Sequence, residues 1–206
     1  AINFYLAGGG CPNSAYSTVV WHEEGHWANV LFGSGNGSDG FGEGGADCWA
    51  MYIADDPVIA KDFFGPGSPI RTGENTNPFC GDSSPGCYGH VHADGEPLMG
   101  AVWKVRKRLK NSFGTGPGGD IADLLLLSWF QAYDDGQIKS IIEEHWLVLD
   151  EDKPECCIDA GQDLHASAVK RFLDVHAVAE QCPREHVRVC CLASSLQVGN
   201  PPAIVR

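Results

Sequence analysis

Apolar positions recur along the chain at two different spacings, and the changes between them mark out the elements. Residues 2–6, INFYL, predict a short strand, ended by the glycine-rich AGGGCPNS behind it. From Asn13 or Ser14 as N-cap, Tyr16, Val19, Val20, Trp27, Val30 and Leu31 follow a helical pattern as far as Gly33, a suitable C-cap. GSGNGSDGFG, residues 33–42, predicts a loop, and a second helix is expected over 43–55 with Ala46, Ala50, Met51 and Ile53 on its apolar side. Pro57 helps to stop it. Residues 57–91 carry no period and are rich in Gly, Pro, Asn and Ser; so long an irregular segment is expected to be stapled or to wrap a site. Helical patterning returns over 95–112, 120–133, 136–149 and 162–179, with GTGPGG and DDG as separators.

The pattern predicts a mainly α fold with a short N-terminal strand or small sheet and long irregular loops. No internal repeat is found. One domain is expected over 1–181, followed by a poorly patterned tail over 182–206 that ends in the extended GNPPAIVR. A length of 206 residues suits that reading, since it allows one sizeable core.

Charge narrows the partners. With 27 acidic and 14 basic side chains the net charge is -13, which repels nucleic acid and anionic membranes alike. No apolar run approaches the roughly 20 residues that span a bilayer, and DLLLLSWF at 123–130 is too short, so a soluble protein is expected. Nine cysteines point to an oxidising, extracellular setting, and CGDSSPGC at 80–87 is a loop that a disulfide could close. The adjacent pairs Cys156/Cys157 and Cys190/Cys191 leave the remaining connectivity open, and the odd count implies at least one free thiol or an outside partner. On this reading any export signal has already been removed.

The candidate chemistry lies in HEEGH, residues 22–26. His22 and His26 stand at i and i+4, so on a helix both imidazoles project from one face and can hold one metal ion. Glu23 is within reach of a water on such an ion. A hydrolytic zinc site needs a third protein ligand and an open fourth position. Glu43 follows His26 by 17 residues at the start of the second helix, which the glycine-rich loop could fold back against the first. Asp47, one turn after Glu43, could accept a hydrogen bond from the far nitrogen of a ligand histidine. The competing assignment makes Asp47 the third ligand and leaves Glu43 interacting with the helix dipole. Further on, GHVHADG offers His90 and His92; were HVH extended, the two rings would point to opposite sides and only one could face the metal.

HEEGH followed by GEGGAD resembles the signature of the gluzincin metallopeptidases, most nearly the fungalysin and thermolysin relatives. INFYLAGGGCPNSAYSTVVWHE is similar to the strand, glycine-rich connection and helix that precede the motif in that group, and VHADGEPLMGAVWKV to the segment carrying its transition-state histidine. The resemblance is specific over 1–55 and 90–106, loose over the helices that follow, and fades beyond Asp152. It implies the helical lobe of a thermolysin-like enzyme, with His22, His26 and Glu43 as zinc ligands, Glu23 as general base and Asp47 as the partner of a ligand histidine. It also selects His92 over His90 as the oxyanion donor.

The chain departs from that pattern in several places. Thr18 stands where the thermolysin relatives carry an acidic calcium ligand, so no matching calcium site is expected, and Asp55 with Asp56 are the acids left for a surface ion. Cys87 occupies the place of the acid that orients the transition-state histidine, so His92 needs another partner. No tyrosine can be assigned as a second oxyanion donor. The family's substrate-pairing strand precedes the segment that resembles INFYL, which implies a missing N-terminal lobe or propeptide in a processed precursor. The expected activity is that of a secreted zinc endopeptidase acting on proteins or peptides. Its rival is a zinc-binding module that is weak or inactive because one wall of the cleft is absent.

Overall fold

Glycines at the crossing of the first two helices set the architecture around the candidate site. In the computed structural model, which describes residues 2–37 and 39–151, helix α1 spans Ser17–Phe32 and α2 spans Phe41–Ala54. A Cβ on Gly25 would lie 2.6 Å from the Ala46 Cα, so only glycine lets the two backbones approach this closely. The fully buried Asn29 fills the neighbouring position and packs over Gly45. Gly33 ends α1 with φ of 99°, as the sequence predicts.

The start of α1 differs from expectation. Asn13 and Ser14, the candidate caps, are already engaged: the Ala15 amide donates to Asn13 Oδ1, and Ser14 Oγ accepts from the Tyr5 amide. The helix therefore begins at Ser17, with Tyr16 as its cap residue. The predicted strand over 2–6 is not formed either. Tyr5 pairs with Ser14, and Gly8 with Cys11, around the glycine turn, but no third segment among the described residues supplies a ladder, and Leu6 is 85% exposed. An isolated pair of extended segments has too little buried surface to make a stable sheet.

Residues 57–91 are mostly irregular, as predicted, but contain a small antiparallel pair, β1 (Val58–Ile59) and β2 (Arg71–Thr72), with Val58 opposite Thr72 and Ile59 opposite Arg71. Strands of two residues are too short to leave an alternation in the sequence. Cys80 and Cys87 form a disulfide, closing the loop as expected. A four-residue helix, α3 (Val91–Asp94), then leads into α4 (Glu96–Phe113).

Helix α5, Thr115–Ala132, starts earlier than predicted, because the GTGPGG separator forms its first turn. Pro117 is tolerated there, since amides in the first turn have no partner within the helix. Gly118 packs directly on the Leu109 carbonyl, which closes the α4–α5 turn. Helix α6, Ile141–Glu151, begins later than predicted. Buried Asp39 accepts from the Ile138 amide at 2.6 Å, and Asp82 accepts from the Ser140 amide at 2.7 Å, so the entry segment stays outside the helix.

The core lies between α2, α4, α5 and α6. Trp129 is fully buried, with ring centroids of Phe41, Tyr133 and Trp146 5.9, 5.4 and 5.7 Å away. The fold is mainly helical with one small sheet, in agreement with the expected class. The predicted helix over 162–179 and the tail over 182–206 lie outside the described residues.

Candidate metal centre

The close crossing of α1 and α2 brings the predicted ligands together. His22 and His26 project from one side of α1, with ring centroids 4.7 Å apart, and Glu43 enters from the first turn of α2. Its carboxylate reaches both rings, Oε2 at 3.2 Å from His22 Nε2 and Oε1 at 3.7 Å from His26 Nε2. Donor atoms of these three residues all lie within 4.8 Å of one another.

Asp47, a turn further along α2, sits behind His22 and not in the cluster. Its Oδ1 accepts from His22 Nδ1 at 2.7 Å, which turns His22 Nε2 towards Glu43. Arg71, delivered by β2, grips the same carboxylate through Nε at 2.6 Å and Nη2 at 2.9 Å. Burial pushes the Asp47 carboxyl up, but His22 and Arg71 outweigh it and hold it below the usual carboxylate range. Burial likewise pulls the His22 imidazole down, and the carboxylates of Asp47 and Glu43 more than reverse this, raising it to about 9. The Glu43 carboxyl is pushed up by burial and brought below its ordinary value by the neighbouring histidines, His22 foremost.

Two imidazoles and one carboxylate are a donor set of the kind that binds a metal ion such as zinc. Zinc holds nitrogen and oxygen donors at about 2.0–2.2 Å, so ligand atoms of a tetrahedral site stand about 3.3–3.6 Å apart. Glu43 stands near that spacing from each ring, through Oε2 at 3.2 Å from His22 and through Oε1 at 3.7 Å from His26, in a group whose donor atoms lie within 4.8 Å of one another. Glu43 Oε2 is buried beside His22 Nε2 at 3.2 Å and His92 Nε2 at 3.3 Å, yet has no hydrogen bond among the described residues. A buried carboxylate oxygen facing imidazole nitrogens without hydrogen-bond geometry is suited to a cation between them.

The other predicted residues lie outside this group of three. Glu23 lies half-buried on α1, three residues before His26, and makes no hydrogen bond or ion pair among the described residues. His92, in α3, reaches Glu43 while its side chain stays 48% exposed, and it stands outside the tight group of three. Burial pulls the His92 imidazole below its ordinary value, with Glu43 opposing and Arg71 adding to the effect. His90 instead caps α3, its Nδ1 accepting from the Ala93 amide at 3.4 Å. The two histidines thus separate by helix position and not by the alternation of an extended HVH.

The departures from the family pattern also take definite places. Thr18 Oγ1 accepts from the Ala60 amide at 2.9 Å. Cys87 is held in the disulfide. Asp55 pairs with Arg106 at 2.9 Å and Lys110 at 2.6 Å, while Asp56 accepts from the Val58 amide at 2.9 Å, so both acids are engaged by the protein itself.

Two contributors were not anticipated. Arg71 lies in the unpatterned stretch, where it and Lys61 are the only Lys or Arg, and nothing in the spacing ties it to Asp47. Asn36 lies in the glycine-rich loop, with Oδ1 3.0 Å from His26 Nδ1. Its only signal in the sequence is an amide side chain placed between two ligand-bearing helices. Compared with known protein families, curated proteins and solved structures, the chain finds no match.

Proposed function

We propose that the protein is a zinc-dependent peptidase, with His22, His26 and Glu43 holding the metal. The observation that carries this reading is the three-residue cluster itself, backed by Asp47 on His22, with the half-exposed His92 beside Glu43. A structural zinc site is normally closed by four protein ligands, whereas a hydrolytic one keeps a position free. A bound zinc ion would supply Lewis acidity, acidifying a water molecule and polarising a carbonyl. Glu23, without another partner among the described residues and on the same helix as both histidines, takes the proton from the attacking water and passes it to the leaving amine. His92 donates to the carbonyl oxygen as negative charge develops there, a contribution whose loss typically lowers kcat by about 100- to 1,000-fold. Asp47, kept anionic by Arg71, holds His22 with Nε2 turned to the metal.

The test is Glu23→Gln. Zinc content measured by atomic emission should stay at one equivalent while turnover of casein or a quenched peptide falls by about 100-fold or more. Turnover equal to that of the parent chain would rule out this mechanism. One observation favours a second reading, a zinc-binding module without turnover. Trp27 and Leu31 continue the stripe of Glu23 along α1 and are 61% and 58% exposed, so this side has no second wall among the described residues. A parent chain that binds zinc but cleaves neither substrate would decide for that reading.

A further inference from the structure

The two histidines of the cluster are held from behind by different devices. His22 has the Asp47 carboxylate, whereas His26 has only a neutral amide. Asn36 Oδ1 lies 3.0 Å from His26 Nδ1, and Asn36 Nδ2 donates to the His26 carbonyl at 3.3 Å. The amide is not free to turn over. Its oxygen also accepts from Asn29 Nδ2 at 3.2 Å, and that same nitrogen donates to the Gly42 carbonyl at 3.1 Å. Flipping Asn36 would set its NH2 against the Asn29 NH2, and flipping Asn29 would set its oxygen against two acceptors. With the amide oxygen fixed towards His26, the ring contact requires the proton on Nδ1. The lone pair of Nε2 then points to the Glu43 side, where Oε1 is 3.7 Å away.

Position 42 keeps this arrangement possible. A Cβ on Gly42 would lie 2.9 Å from both Cα and Cβ of Asn36, so the residue before the Glu43 ligand is glycine where the loop amide packs. We infer that Asn36, anchored by buried Asn29, is a positioning residue that fixes His26 in the Nδ1-protonated tautomer and so presents Nε2 to the metal. The inference rests on the zinc reading for its purpose, but the tautomer can be observed without any metal.

The experiment uses the full chain and its Asn36→Ala and Asn36→Asp variants. In zinc-free protein in alkaline buffer, long-range nitrogen–proton NMR correlations report which nitrogen of His26 carries the proton. Nδ1–H is expected in the parent chain and in Asn36→Asp, whose carboxylate accepts the same bond, with loss of that preference in Asn36→Ala. Zinc affinity from competition with a chromophoric chelator should fall by about 10- to 100-fold in Asn36→Ala and recover in Asn36→Asp. Asn36 is solvent-exposed on its loop, and unchanged far-ultraviolet circular dichroism will separate a local effect from misfolding. A parent chain with His26 protonated on Nε2, or an Asn36→Ala variant with unchanged tautomer and affinity, overturns the inference. Failure of the parent chain to bind zinc overturns the zinc reading alone, because the tautomer measurement still judges Asn36.

Discussion

The α1–α2 crossing and the α4–α5–α6 side of the molecule are built on opposite principles. At the crossing, Gly25 and Gly45 bring two backbones together and buried polar groups fill what remains, with Asn29 and Asp47 both fully enclosed. On the other side, Trp129, Phe130, Leu125 and Leu109 are fully buried and belong to one apolar cluster. Burying a large apolar side chain contributes about 1.5–3 kcal/mol, whereas a buried hydrogen-bonded network roughly balances its own desolvation. The aromatic side therefore supplies stability, and the crossing spends some of it on fixed geometry.

The strongest way to break this comparison is Trp129→Ala. Removing a fully enclosed indole from among Phe41, Tyr133 and Trp146 should destabilise the fold by about 3–5 kcal/mol, measured by urea denaturation. Zinc affinity of the folded chain should change little. Should affinity collapse together with stability, the two regions are one unit, coupled through Phe41 at the start of α2, and the division of labour is wrong.

The reverse experiment is Gly25→Ala. The added methyl meets Ala46 backbone at 2.6 Å, so α1 and α2 must move apart, a cost of about 1–3 kcal/mol in stability. The larger consequence is at the site, because the shift separates His22 and His26 from Glu43. Zinc titration should show a greater proportional loss than Trp129→Ala causes. Parent-like affinity in Gly25→Ala would mean that the crossing does not set the ligand distances.

The same contrast explains what could be read from the sequence. His22, Glu23, His26, Glu43 and Asp47 lie on regular helices, where spacing alone decides which side chains share a face. The structure gathers the three candidate ligands and puts Asp47 behind His22. Arg71 and Asn36 reach the site from a two-residue strand and a glycine-rich loop, whose paths depend on tertiary contacts that carry no period. The predicted strand over 2–6 fails for a related reason, since an apolar run says nothing about whether a partner strand exists. The late start of α6 depends on the carboxylates of Asp39 and Asp82, far away in the chain.

The smallest expected effect sharpens the polar side of the comparison through pH. His22, held by Asp47 and Glu43, keeps its proton up to about 9 against 6.5 for an ordinary imidazole. Its folded value lies above the unfolded one, so in the zinc-free protein its contribution to stability is complete below 6.5 and is lost as pH rises through about 9. Zinc requires His22 Nε2 without a proton, while Nδ1 keeps its bond to Asp47, so metal and proton compete at Nε2. Apparent zinc affinity should therefore rise with pH, by up to about tenfold per pH unit over that window, and level off above it. The zinc-free melting temperature should fall over the same range, with the fall suppressed in the zinc-loaded protein. Affinity that stays flat across the window would show that His22 carries no proton to displace, and that the polar network behind it orients the ring without holding its charge.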